Sequence, residues 1–272
     1  MKTKTTFLLT AAAAGLFAFI VLYESRRPGT REAALREEYV ALFEQDGIDG
    51  IVIAGGEAEI ELRKHGSRWR VEAPVKDRAD VAVVSEILAR SATLRKEASI
   101  RGEELEKKQL KSFGVSKSNL RLKLTGRNAP PEFLFGKETA VDGRVYLRLE
   151  GSKNVHIVSG DLRALIARPV DAFRDHRLAD VEGTHVDKVS LKIPAGEIAI
   201  AKQGGQWQLT QPLKARAGER AVTDLIGSVL NTEILGFAPE AGANLALYGL
   251  SEPRAVVTLH ATSRDEPVRL EI

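Results

Sequence analysis

The sequence contains no cysteine. That excludes a disulfide framework, thiol catalysis, iron–sulfur clusters and Cys-ligated zinc. Net charge is almost absent too, since 40 Lys+Arg against 37 Asp+Glu leave +3. So small an excess gives no ground for a nucleic-acid partner. Catalytic signatures are missing: there is no G-x-S-x-G elbow, no H-E-x-x-H pair and no Gly-Lys-Ser/Thr phosphate loop. Gly55-Gly56 and Gly204-Gly205 are turn glycines at non-equivalent places, and neither opens a helix. Neither an enzyme nor a cofactor is expected. What is present is a globular composition, 43% hydrophobic and 28% charged over 272 residues, enough for two domains.

One long apolar run stands out. Residues 7–23 carry no charge, and Lys2 and Lys4 precede them in a short tail, residues 1–6. As a helix the run spans about 25 Å, near the lower limit for crossing a bilayer. Two readings compete, an uncleaved anchor and a cleaved export signal. The small residues, Ala11 to Gly15, lie inside the run, which ends in Leu22-Tyr23 before Glu24 and Arg26-Arg27. A cleavage site would place small residues after the run, so the expectation is a single-pass anchor. The signal-like order places the amino terminus inside and the main domains outside the cytoplasm. Residues 24–47 read as a juxtamembrane linker. Pro28-Gly29 breaks the chain, residues 31–44 form a short amphipathic helix with Leu35, Tyr39 and Leu42/Phe43 on one face, and Gly47 stops it.

The main organisational signal is an internal repeat. With a shift of 138, residues 48–88 align without gaps on residues 186–226 and share 11 of 41 positions. About 2–3 identities would be expected from average composition. The shared positions include Asp49/Asp187, Lys64/Lys202, Gly66/Gly204, Trp69/Trp207, Pro74/Pro212, Lys76/Lys214 and Arg78/Arg216. Both tryptophans of the chain fall at one repeat position. After a three-residue deletion the match resumes, Phe113-Gly114-Val115-Ser116 against Tyr248-Gly249-Leu250-Ser251. This is a duplication.

Each unit reads alike. Residues 48–54 and 59–64 alternate apolar and polar, as half-buried strands do. Residues 64–67 form a hairpin turn with Gly66 at positive φ, and residues 68–72 form a third strand carrying the tryptophan. Asp80 caps a helix reaching about Leu94. In the second unit Val222, Leu225, Ile226, Val229 and Leu230 make one buried helical stripe. Further strands follow at 119–125 and 132–135. Strands at 145–149 and 155–158 and a short helix at 161–167 occur in unit one only. The expected fold class is α+β: one N-terminal transmembrane helix, then tandem antiparallel-sheet-plus-helix units at residues 48–180 and 186–272. Unit two stops where unit one continues for about 40 residues, so the chain is expected to be a fragment of a longer protein.

Few residues invite a chemical role. The spacing of His176 and His185 around Asp180, Glu182 and Asp187 matches no helix or strand face, and no metal is expected there. Trp69 and Trp207 share parity with Val71 and Leu209, so both rings belong to the core as repeat anchors. Pro74 and Pro212 set the connection to the helix. Residues 63–127 hold 17 basic residues against eight acids, beginning with Arg63, Lys64, Arg68 and Arg70. These four are the candidate face for an anionic ligand, either lipid headgroups or an acidic envelope polymer; the alternative is an ordinary solvated surface.

One anchor precedes repeated units of strand–turn–strand-Trp-x-Val/Leu-x-x-Pro, a helix and Phe/Tyr-Gly-Val/Leu-Ser. Unit one adds Val145-Tyr146-Leu147-Arg148 and closes on Phe173-Arg174-Asp175. This pattern resembles the domain-of-unknown-function family 4340 over residues 48–272, with a shortened second unit as the departure. Members of that family occur beside gliding-type ABC transport components. The resemblance therefore implies a non-enzymatic accessory or scaffold protein of the bacterial envelope, with ABC transporter subunits or other envelope proteins as partners. It supplies no catalytic residue.

Overall fold

The computed structural model describes residues 30–105, 107–116, 118–181, 183–238, 244–264 and 266–272. The expected tail 1–6 and apolar run 7–23 lie outside the described residues. Among the described residues no helix is long and apolar enough to cross a membrane. The chain forms two compact units, one reaching Phe173 and the other running from Arg174 to Ile272.

In unit one, helix α1 (Thr30–Glu38) is followed by strands β1 (Ile48–Ala54), β2 (Ile60–His65), β3 (Arg68–Ala73) and β4 (Asp77–Arg78). Helix α2 (Val81–Ala92), strand β5 (Ala98–Ile100) and helix α3 (Lys107–Ser112) come next. Strands β6 (Leu120–Gly126), β7 (Phe133–Glu138), β8 (Arg144–Leu149) and β9 (Val155–Ser159) then lead to helix α4 (Asp161–Ile166). They build one nine-stranded sheet in the order β4-β3-β2-β1-β6-β7-β8-β9-β5. Every pairing is antiparallel. Alternation decides the faces: Ile51, Leu62, Val71 and Leu122 point to a common core and are fully buried. Asp80 caps α2, its carboxylate accepting the N–H groups of Ala82 at 2.8 Å and Val83 at 3.2 Å. At the β1–β2 turn Gly55 has φ +110°, and a Cβ there would lie 1.2 Å from the carbonyl oxygen of Asn119. Only glycine fits so close a backbone crossing.

Unit two comprises β10 (Val186–Ile193), β11 (Gly196–Gln203), β12 (Gln206–Gln211), β13 (Ala215–Arg216), helix α5 (Glu219–Leu230), β14 (Val256–Ala261) and β15 (Val268–Glu271). Its six strands run β13-β12-β11-β10-β14-β15. Under a shift of 138 residues for β10 to β13, and of 135 for β14 and β15, this is the order of β4-β3-β2-β1-β6-β7. The irregularities repeat as well. The shift between Ile48 and Gly50 in the β1–β6 ladder recurs between Val186 and Lys188 against β14. The shift between Glu61 and Leu62 recurs between Ala199 and Ile200. The Trp69 carbonyl accepts the Ala79 N–H at 3.1 Å, and the Trp207 carbonyl accepts that of Ala217 at 3.0 Å. Both Ala73-Pro74 and Gln211-Pro212 are cis.

The repeat extends upstream of the sequence identities. Tyr39 bridges Arg95, and Arg177 bridges Glu233, the same pair shifted by 138. The Val40 N–H donates to Leu94 at 2.9 Å, and the Leu178 N–H donates to Thr232 at 3.4 Å. Residues 39–47, read from sequence as spacer, are therefore part of unit one: Val40 is buried and Phe43 packs on the core.

The α+β expectation is overturned for the described residues, and the expected transmembrane helix falls on residues outside them. Both units are predominantly antiparallel β, and the longest described helices, α2 and α5, have 12 residues each. The physical reason lies in the small strands. β4, β5 and β13 are two or three residues long, too short to show alternation, yet each extends a sheet. The stretch 31–44 supplies a helix only as far as Glu38.

Strand β9 carries a buried titratable group. His156 is 6% exposed, and its Nδ1 lies 2.8 Å from the Ser99 hydroxyl on β5. Burial, and secondarily the charge of Lys96, push its pKa down to about 4. A lowered histidine pKa means that the unfolded chain takes up the proton first as pH falls. Stability is therefore full above about 6.5 and is lost progressively toward pH 4. The expected loss between pH 8 and pH 5 is about 2 kcal/mol. Denaturant unfolding of the chain and of His156→Gln across that range checks this, the substitution flattening the slope.

Candidate anion-binding face of unit one

The β2–β3 hairpin sets out the candidate residues. Its register pairs Arg63 with Arg70, Lys64 with Trp69 and His65 with Arg68. Arg63, Arg68 and Arg70 therefore share the solvent face and are exposed. Lys64 takes the opposite parity, on the face of Trp69. Its counterpart Lys202 shows the same arrangement, its Nζ 5.8 Å from the Trp207 ring centroid. Trp69 is 8% and Trp207 7% exposed, both in the cores of their units. Pro74 and Pro212 close β3 and β12 just ahead of β4 and β13.

The sheet adds cations that the sequence run does not group. Arg70 is paired across the ladder with Arg78 on β4, so Arg63, Arg70 and Arg78 form a row over three strands. The row continues through Gly50 to Thr125 on β6. Gly50 has no side chain because the Thr125 hydroxyl takes the space: a Cβ would lie 2.3 Å from its Oγ1 and 3.4 Å from an Arg63 guanidinium nitrogen. Arg121 and Lys123 of β6 lie on the same face. Acids temper it: Glu61 accepts from Arg63 Nε at 2.7 Å, Glu72 lies 2.8 Å from His65 Nε2, and Glu132 lies 3.9 Å from Arg121 Nη1. Among the described residues Arg68 and Arg70 form no ion pair. Arg78, Arg121 and Lys123 lie within the basic span 63–127 but were not among the four candidates, since only strand register shows which distant residues share a row.

The duplicate lacks three of these cations. At the equivalent positions unit two has Ala201 for Arg63, Gln206 for Arg68 and Gln208 for Arg70. The strands and bulges are retained, Arg78 keeps its counterpart in Arg216, and Lys188 stands at the place of Gly50.

The other sequence-level candidates are dispersed. Asp175 is buried and holds Arg177, accepting from Nε at 3.0 Å and Nη2 at 2.8 Å, with Asp180 at 3.1 Å. The hydrogen bond that Arg177 donates to Asp175 is the first cause raising the Arg177 pKa. The Arg174 guanidinium stacks 3.5 Å from the Phe237 ring centroid, and His176 Nδ1 lies 2.7 Å from the Ile234 carbonyl. These contacts organise the start of unit two. Among the described residues no group of three or more His, Cys, Asp or Glu is placed to hold a metal ion.

A family model described as Domain of unknown function (DUF4340) matches residues 69–253, from β3 of unit one into unit two. No curated protein and no solved structure matches the chain.

Like charges placed directly opposite one another in a sheet repel. Arg70→Gln, which installs the unit-two residue, should therefore raise stability by about 0.5 kcal/mol at low ionic strength, with the gain fading as salt is added. Thermal unfolding at low and high salt measures both.

Proposed function

The chain belongs to the DUF4340 family, and on that footing we propose that it is a non-enzymatic accessory protein of the bacterial envelope. It works at the inner membrane with its two units outside the cytoplasm, and it serves as a scaffold for an ABC-type transport system. The observation that carries this reading is the manner in which the duplicate diverged. Strand order, bulges and buried tryptophans are retained, whereas the solvent faces differ, as suits two surfaces given to different contacts. Purification of the tagged full-length protein in mild detergent, with mass spectrometry of what accompanies it, tests the proposal. Transporter subunits in fixed ratio are expected; a chain that purifies alone overturns it.

A second reading has its own observation, the arginine row of unit one. A row of three arginines across β2, β3 and β4 suits a surface of repeated negative charge, such as anionic lipid headgroups or an acidic polymer. The triple variant Arg63→Ala, Arg68→Gln, Arg70→Gln carries residues that the equivalent strands of unit two already accommodate. At about 1 kcal/mol per cation, it should bind anionic vesicles on the order of a hundredfold more weakly and with a shallower salt dependence. Unchanged binding in a vesicle flotation assay would mean that the row is surface only.

A further inference from the structure

Unit two holds a pocket at the place where unit one puts a phenyl ring. The pocket has a volume of about 520 Å³ and lies beside α5, the start of β10 and the β11–β12 hairpin. Val181, Trp207 and Ile226 are among its walls. Under the 138-residue shift Val181 matches Phe43, which packs on the core of unit one. A valine there withdraws the ring and leaves its space. Gly227 also lines the pocket, where α2 has Ala89. A Cβ at Gly227 would meet no side chain but that of Asn231, at 3.8 Å, so packing does not exclude alanine. Glycine inside a helix costs stability relative to alanine. Two substitutions therefore open one space, the second at a cost to the helix.

The pocket is independent of the cover that unit one carries on its other side. There, α4 and the turn Val170–Phe173 approach α2 from the side of Arg90, which stands 3.6 Å from Asp161. The Asp80 N–H, at the cap of α2, donates to the Phe173 carbonyl at 2.9 Å. Ser85, Leu88 and Ala92, which match pocket residues, lie along the opposite side of α2 at 100° per residue. On that side the two units are covered alike. Leu88 is 7% and Ile226 5% exposed, Trp69 is 8% and Trp207 7%, and both Ser85 and Thr223 are exposed. Every lining residue falls between Arg177 and Asn231.

We propose that this pocket binds a small amphipathic anion, with a ring or short chain as its apolar body and a carboxylate as its head. The volume is that of a small-molecule site. The phenyl ring at the matching place in unit one shows the polarity and shape that the space accepts. Lys202 sets the charge of the head. It lines the pocket, it is exposed, and its Nζ stands 5.8 Å from the Trp207 ring centroid. Among the described residues it forms no ion pair, whereas the other cation of the wall, Arg177, is held by Asp175 and Asp180. A body lying along Trp207 brings its carboxylate toward the free ammonium, and charge-assisted hydrogen bonds of this kind are the strong ones. Glu219 also lines the pocket and makes a cationic head the competing outcome. The inference goes beyond the scaffold reading and needs neither a transport partner nor the arginine row.

The test is equilibrium dialysis of the full-length protein in mild detergent against naphthoate and decanoate, with naphthylmethanol and naphthylmethylamine as neutral and cationic analogues. The double variant Val181→Phe, Gly227→Ala carries the residues that unit one has at the matching places. It serves as the blank for probe taken up by detergent, and its thermal unfolding checks that it folds. Saturable binding of a carboxylate above that blank is expected. Lys202→Gln should weaken it about tenfold and leave naphthylmethanol unaffected. Because Lys202 is exposed, this variant decides the matter should the filled one fail to fold. Equal carboxylate binding by parent and filled variant overturns the proposal, as does no saturable binding of either carboxylate. Tighter binding of naphthylmethylamine than of naphthoate, or Lys202→Gln without effect, overturns it as well. None of these results bears on what co-purifies with the chain, so the two readings fail separately.

Discussion

A β-sheet that buries one face needs a cover as wide as the sheet, and that requirement governs this chain. A 12-residue helix is about 18 Å long, while strands sit about 4.8 Å apart. A single helix therefore spans only part of a sheet of six or nine strands. Unit one solves the problem by adding β8, β9, α4 and the Phe173 turn, after which its largest apolar side chains are fully buried. Unit two has the same frame and the same helix, and among its described residues the apolar cluster is smaller. The wide core of the first unit follows from how much cover its sheet receives.

Because the core frame repeats so closely, the surface carries the differences. The bulges at Ile48/Gly50 and Val186/Lys188, and those at Glu61/Leu62 and Ala199/Ile200, fall at matched positions. Bulges aim the strands and pin their register, so the outward residues of the two units occupy matched sites. At those sites arginines on one unit stand where alanine and glutamine stand on the other. A row of like charges costs stability, and the neutral residues of unit two show that the frame tolerates their absence. The row is a feature of the surface rather than a requirement of folding.

Much of this was legible in the sequence. Alternation over 48–54 and 68–72 marks half-buried strands, and Gly66 at φ +62° sits at the turn the sequence placed between β2 and β3. Asp80 caps the helix that its position before an apolar stripe implied. The duplication was visible in 11 shared positions and in two tryptophans at one repeat site. Other parts left no local trace. Strand β5 acquires its identity from β9, through the Ser99–His156 pair, whose members stand 57 residues apart in the chain. Residues 39–47 carry too few identities to align with 177–185, yet their bridges and hydrogen bonds match. The class was read as α+β because helical stripes are conspicuous in sequence, whereas strands as short as β4, β5 and β13 are not.

The sequence by itself determined the periodic elements, the repeat and its period, and the burial of Trp69 and Trp207, because each depends on residues close together or on direct comparison of two stretches. Tertiary structure alone decided which cations share a row, that Lys64 faces away from Arg63, and that Leu162, Ile166 and Phe173 join the core of β1 to β3. Those outcomes depend on strand register and on the packing of distant segments. Register is a property of pairs of strands, and cover is a property of whole layers, so neither can be read from any single stretch of chain.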